Sequence, residues 1–297
     1  MKAQALSGVA VVDKPRGLTS HTVVAQARRL FGRKDIGHAG TLDPMATGVL
    51  LVLVGQACKL SGYLTADSKR YAAEVCFGRA TDTLDAEGKT TDEQPLAEGV
   101  LTADAVAQAL AAELARTEQT PPAVSAIKVA GERAYALARK GAAPELPPRP
   151  VRVLELRLLE LAPPILRCEL LVSKGYYVRS LARDLGAQLG VPAHLSSLRR
   201  LASGPFSIDQ AWPWPATEPP PLLSLTEAAS SVLPVCRINN ADAVLRARQG
   251  KLLMPEDFSE LPGVEGPGVW LSPEGELVAL GSTTGELKVL RGFNSES

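Results

Sequence analysis

The sequence predicts an α+β chain, a strand-rich body with helices around it and a small β-rich appendage. Three features carry this. Apolar runs of strand length recur, as in Gly8-Val9-Ala10-Val11-Val12 and Val49-Leu50-Leu51-Val52-Leu53-Val54. Between them lie stretches with apolar residues at helical spacing, two of them opened by Ser20 and Thr102. From Trp212 the texture changes: Pro213, Pro215, Pro219, Pro220 and Pro221 mark a boundary, and Gly-punctuated strands follow. The domains are therefore expected at 1–211 and 235–297.

The first strand ends at Asp13-Lys14-Pro15-Arg16-Gly17, a charged Pro/Gly turn. Ser20 is the expected N-cap of a helix from about 21 to 31, with Arg28 and Arg29 in its last turn, where cations complement the dipole. Gly37-His38-Ala39-Gly40-Thr41-Leu42-Asp43-Pro44-Met45-Ala46-Thr47-Gly48 forms a glycine-bounded loop running into the most apolar strand of the chain, one buried on both faces. A loop so anchored can present His38 and Asp43 at a cleft. On residues alone, Asp43-Pro44 also reads as an ordinary turn pair.

A short helix is expected over 56–64, then a strand over 69–78 whose alternation puts Tyr71, Ala73, Val75 and Phe77 on one face. Residues 81–88 form an acidic turn-rich loop containing Asp85. Thr102 caps an Ala-rich helix over about 103–115. A Pro-bearing segment, a helix over Glu132–Lys140 and a Pro-rich connector follow. Strands at about 151–161 and 165–173 meet at Pro163-Pro164 and lead through Ser173-Lys174-Gly175-Tyr176-Tyr177-Val178-Arg179 into a helix ending at Leu189. The appendage holds a helix near 240–249 and strands around 268–290.

Composition excludes several classes. With 45% hydrophobic and 22% charged residues the chain is globular rather than disordered. No apolar run reaches the roughly 18 residues of a membrane span, and the amino terminus lacks the apolar core of a signal peptide. Cys58, Cys76, Cys168 and Cys236 lie far apart, a pattern of four buried small residues in a reducing cytoplasm rather than of a zinc site or disulfide framework. Net charge is zero, yet residues 1–70 carry ten Lys/Arg against four Asp/Glu, and 151–210 carry eight against five. These two segments also hold the candidate site, so a polyanion could be attracted locally.

Gly-His-Ala-Gly-Thr-Leu-Asp-Pro-Met-Ala-Thr-Gly-Val-Leu, at 37–50, resembles the active-site motif of the bacterial tRNA pseudouridine-55 synthases, the TruB family. Asp-Lys-Pro with Gly-Leu-Thr-Ser, Lys69-Arg70-Tyr71, the loop around Asp85, Ser-Lys-Gly-x-Tyr-x-Arg and Leu198-Arg199-Arg200-Leu201 extend the likeness over about 8–205. The resemblance implies a mixed, largely antiparallel bent sheet flanked by helices, the pseudouridine synthase fold, with a PUA-like carboxy-terminal domain. It implies Asp43 as nucleophile, Arg179 as its partner and Tyr71 stacked on the target base. Lys14 would be a phosphate or site contact, His38 the filler of the gap left by the base, Asp85 a substrate-positioning group, and Tyr177 and Leu198 part of the pocket. Tyr176 departs from the pattern, which favours a small residue there. Residues 119–150 would be the insertion that grips the T-arm, although on residues alone they also read as a surface helical hairpin.

Isomerising uridine breaks a glycosidic bond and remakes it to carbon without redox change, so no cofactor and no metal are expected. Zinc deaminases also extrude bases, but their His-x-Glu and Pro-Cys-x-x-Cys signatures are missing. A retaining glycosidase needs a second carboxylate that the motif does not offer. The expectation is a cytoplasmic, monomeric enzyme acting on tRNA without guide RNA. The alternatives are a non-catalytic tRNA-binding or folding protein and a guide-RNA-dependent pseudouridine synthase.

Overall fold

A computed structural model describes residues 7–65, 68–125, 127–129, 132–133 and 146–294. In chain order the elements that position the site are β1 (Gly8–Lys14), α1 (Ser20–Leu30), β2 (Ile36–Ala39), β3 (Thr47–Val54), β4 (Lys69–Phe77), α2 (Ala103–Leu114), β5 (Val153–Ala162), β6 (Ile165–Val172), α3 (Val178–Leu189), β7 (Ala193–Ser203) and β8 (Trp212–Pro213). They form a sheet in the order β5-β6-β4-β7-β3-β1-β8, with β2 also paired to β3. The pairs β7–β3 and β1–β8 are parallel and the others along this path antiparallel, so the sheet is mixed and largely antiparallel. Two register shifts in the β7–β4 pairing, at Leu195/Ser197 and Arg200/Ala202, bend β7 along its length.

β3 takes the centre because it is apolar throughout: every residue after Thr47 is buried. One face of the sheet packs on α1, α2 and α3 through Val23, Val106, Leu110, Leu181 and Leu185, with Leu50, Val75 and Leu166 from the strands. In β4 the alternation holds, with Tyr71, Ala73, Val75 and Phe77 inward.

Several expectations shift. α1 is capped by Thr19, whose Oγ1 accepts from the Thr22 amide at 2.9 Å. Ser20, expected as the cap, is buried and exchanges hydrogen bonds with Leu42 in both directions (2.9 and 3.1 Å), tying the helix to the loop beside Asp43. The helix expected over 56–64 is a 3₁₀ turn at Gly55–Leu60 followed by one helical turn at Ser61–Leu64. Of the helix expected over Glu132–Lys140, residues 134–140 lie outside the described residues; Glu132–Arg133 instead pairs with Lys128–Val129. Of the cysteines, Cys168 and Cys236 are buried, Cys76 is half-buried and Cys58 exposed, and none is bridged. No helix among the described residues is long and apolar enough to cross a membrane.

The Pro-rich stretch is packed rather than loose. Trp212 registers against Val12, the buried Trp214 donates to Gln26 Oε1 at 2.7 Å, and Leu223 bridges Val9. Beyond it, a five-stranded sheet orders as 258–260, 235–238, 267–271, 277–282 and 289–292. It has a core of its own around Trp270, Phe258 and Ala247. A further cluster joins this sheet's Val269, Leu271 and Leu280 to Val9, Val11, Val49, Leu51 and Leu53 of the main sheet.

Candidate active site

The loop between β2 and β3 is fixed from below. Leu42, Met45 and Ala46 are buried anchors, and the Ala46 amide donates to the Asp43 carbonyl at 3.1 Å. Two buried cations then hold the backbone. Lys14 Nζ donates to the carbonyls of Leu18 (2.7 Å), Pro15 (3.0 Å) and Pro44 (3.3 Å). Arg200 donates to those of Val49 (2.6 Å), Gly40 (2.8 Å) and Thr41 (3.5 Å). Lys14 has no exposed surface and its three protons are committed to these carbonyls, Pro44 beside Asp43 among them. Burial lowers its pKa from 10.5 to about 8, with Asp43 opposing the shift.

What these supports present is Asp43. Its side chain keeps 35% of its surface while that of Arg179, opposite, keeps 6%. Arg179 Nε donates to Asp43 Oδ2 at 2.9 Å and Nη2 to Oδ1 at 3.3 Å, a two-point contact that fixes the carboxylate plane. The same guanidinium donates to the carbonyls of Thr83 and Val124, both at 2.9 Å. Arg179 therefore joins the central loop, the 81–88 loop and the segment that follows α2 in one node.

The pair stands in a cleft of about 320 Å³ lined also by Tyr71, Tyr177, Leu198, Lys174 and Arg200. Tyr71 and Leu198 come from the adjacent strands β4 and β7, which is why residues so distant in sequence share one wall. Tyr177 is held by its main chain, its amide donating to Gln119 Oε1 at 2.8 Å and its carbonyl accepting from Gln119 Nε2 at 3.2 Å. Burial raises the pKa of its phenol.

Two expected residues stand apart from the cleft. Asp85 is buried behind Arg179, with Oδ2 3.8 Å from Arg179 Nε; its Oδ1 accepts from Thr83 Oγ1 (2.6 Å) and the Glu87 amide (3.1 Å). It supports the arginine from the far side and does not line the cavity. His38 lies in β2, edge-on to His21 with ring centroids 5.3 Å apart, and is likewise absent from the lining. Burial, then His21 and Arg200, hold its imidazole pKa below the ordinary value.

Arg200 is the site residue that motif reading passed over. Its signal was available: it sits two residues after Leu198 on a strand, hence on the same inward side, where an arginine must find carbonyls or acids. The basic surplus is also partly internal. Lys14 and Arg200 are buried, Arg199 pairs with Asp13 at 2.7 Å, and Arg70 with Glu155 and Glu169 at 2.8 Å each.

Comparison with known proteins identifies the family. Residues 28–178 match the amino-terminal domain of the TruB family pseudouridylate synthases, and residues 179–214 match the tRNA pseudouridylate synthase B C-terminal domain. The tRNA pseudouridine synthase B of Mycobacterium sp. (strain KMS) is 43% identical over 279 residues, 92% of this chain and 91% of that protein. That of Mycolicibacterium paratuberculosis is 43% identical over 296 residues, 96% and 97% of the two chains. The fold is similar to that in a Cbf5-Nop10-Gar1 complex, with a TM-score of 0.73 at 24% identity, covering 99% of this chain and 85% of that one. A chain of an H/ACA RNP bound to a substrate RNA containing 2'-deoxyuridine gives a TM-score of 0.73 at 22% identity, covering 97% and 86%. With the family match and the relatives in agreement, the chain belongs to the TruB family of pseudouridylate synthases.

Proposed function

We propose that this chain isomerises uridine 55 in the T-loop of tRNA to pseudouridine, with Asp43 as nucleophile. The observation that carries the reading is the Asp43–Arg179 pair in an open cleft beneath Tyr71 and Leu198. A carboxylate held at two points by a guanidinium is aimed, which suits attack on the electrophilic carbons of the nucleoside, C1′ of the sugar or C6 of the pyrimidine. The N1–C1′ bond breaks, the uracil turns, and a C5–C1′ bond forms. N1 gains a proton and C5 loses one, so the balance closes without a redox partner. The base must leave its stack at a cost of a few kcal/mol. The flat face of Tyr71 and the apolar Leu198, both in the cavity lining, offset part of that cost, and the proton transfers are assigned to the Tyr71 hydroxyl.

On this reading residues 1–211 are the catalytic domain, 119–150 the segment that grips the T-arm, and 235–297 a PUA-like RNA-binding domain. The protein acts as a monomer in the cytoplasm, without guide RNA. Identity of 43% to proteins named tRNA pseudouridine synthase B supports tRNA as substrate.

The test is to incubate the purified protein with a bare T-arm hairpin and map pseudouridine at the position equivalent to 55. The protein alone should modify it. Asp43→Asn, which keeps the shape and loses the nucleophile, should lower the rate at least about 1,000-fold and leave RNA affinity within about threefold. A variant that still turns over would refute the nucleophile role. Binding without modification by the wild-type chain would favour a tRNA-folding protein, and modification only with added guide RNA would favour the guide-dependent class.

A further inference from the structure

Tyr176, the departure from the family pattern, is turned away from solvent, and its hydroxyl donates to Glu113 Oε1 at 2.7 Å. Glu113, on α2, has no exposed side-chain surface; its other oxygen accepts from Arg116 Nε at 2.7 Å, and Arg116 reaches Asp184 of α3 at 3.5 Å. Burial, followed by the Glu113 charge, raises the phenol pKa well above its ordinary value. Its neighbours are tied to the same side. Tyr177 is held at amide and carbonyl by Gln119; Ser180 Oγ and Arg183 Nη2 both donate to the Thr120 carbonyl at 3.0 Å; Arg179 itself donates to Val124. Residues 176–183 and 113–124 are thus fastened together across the start of the segment proposed to grip RNA.

A carboxylate taken fully out of water stabilises little by itself, since an apolar side chain of similar volume could pack there without the desolvation cost. What it supplies is a directed acceptor for the Tyr176 hydroxyl, and Tyr176 lies two residues before α3 begins at Val178. The first turn of α3 sets where the Arg179 guanidinium starts its reach, and a displacement of about 1 Å there would break its two-point contact with Asp43. We propose that Tyr176 is a positioning residue for Arg179, acting through Glu113. The proposal rests on Arg179 as the partner of a catalytic Asp43.

Single-turnover rate, RNA affinity and thermal midpoint of Tyr176→Phe, Glu113→Gln and the double variant test it. Tyr176→Phe should slow the isomerisation step about tenfold with affinity changed less than about twofold. The double variant should be no slower than the slower of the two single variants, because the Tyr176–Glu113 bond is the contact they share. A merely structural bond would lower the thermal midpoint and spare the rate. A Tyr176→Phe rate within twofold of wild type, or two penalties that multiply in the double variant, would overturn the proposal. Failure of the wild-type chain to modify the hairpin would count against the functional reading instead, so the two failures are separable.

Discussion

Lys14 shows how a residue can belong to the site without facing it. Its place in an Asp-Lys-Pro turn suggested an exposed cation; three carbonyls converging on Nζ made it a buried one. Sequence could nominate the residue but not its direction, because a turn lysine and a buried lysine differ only in what the rest of the chain brings to them. Asp43, Arg179, Tyr71 and Leu198 were legible because their motifs are dense and the strands carrying them pair as the patterns require. Asp85 lies behind the guanidinium and His38 beside His21, placements that spacing along a loop or strand does not fix. The lowered Lys14 pKa has a measurable consequence. Between about pH 8 and 10.5 the unfolded chain holds this proton and the folded chain does not, so stability from this group rises with pH across that window. Below pH 8 both states are charged and the full desolvation cost is present. Relative to Lys14→Met, the wild-type protein should therefore gain up to about 3 kcal/mol between pH 7.5 and 10.5 in denaturant titrations; a flat difference would mean the ammonium is not desolvated.

At the scale of elements, the junction of β3 and β7 is the tightest point near the site. Gly48 has φ +99°, and a Cβ there would lie 2.2 Å from the Arg200 carbonyl oxygen and 2.8 Å from its amide nitrogen. Both atoms are backbone, so neither can swing aside. Gly48→Ala should destabilise the protein by about 2–4 kcal/mol and lower activity in the fraction that folds, because Arg200 supports Gly40 and Thr41. Unfolding curves superposable on wild type would contradict the geometry. Strands and helices were largely readable from periodicity and caps, and Thr102 does cap α2, its Oγ1 accepting from the Ala105 amide at 3.2 Å. The Ser20 cap was displaced by one residue because Thr19 can satisfy the same amides while Ser20 finds a buried partner in Leu42. Local rules do not register that tertiary competition.

For the whole molecule, the proline-dense stretch reads in sequence as a boundary; in the structure Trp212 pairs with Val12, Leu223 bridges Val9, and the 235–294 region closes an apolar cluster beneath the main sheet. Composition marks where the texture changes; it does not say that the pieces part. Truncation after Leu233 would uncover Val9, Val11, Leu51 and Leu53, so the shortened chain should aggregate or unfold without a cooperative transition, as followed by calorimetry. A truncated protein melting within a few degrees of the full chain would show that the appendage is dispensable for folding. The central strand carries one more implication. β3 is walled in on both sides and its leading loop is strapped by Lys14, Arg200 and Ser20. The acid at its tip has almost no freedom to travel, so the reach that chemistry demands must be covered by the visitor, with the nucleotide carried in to a stationary anvil.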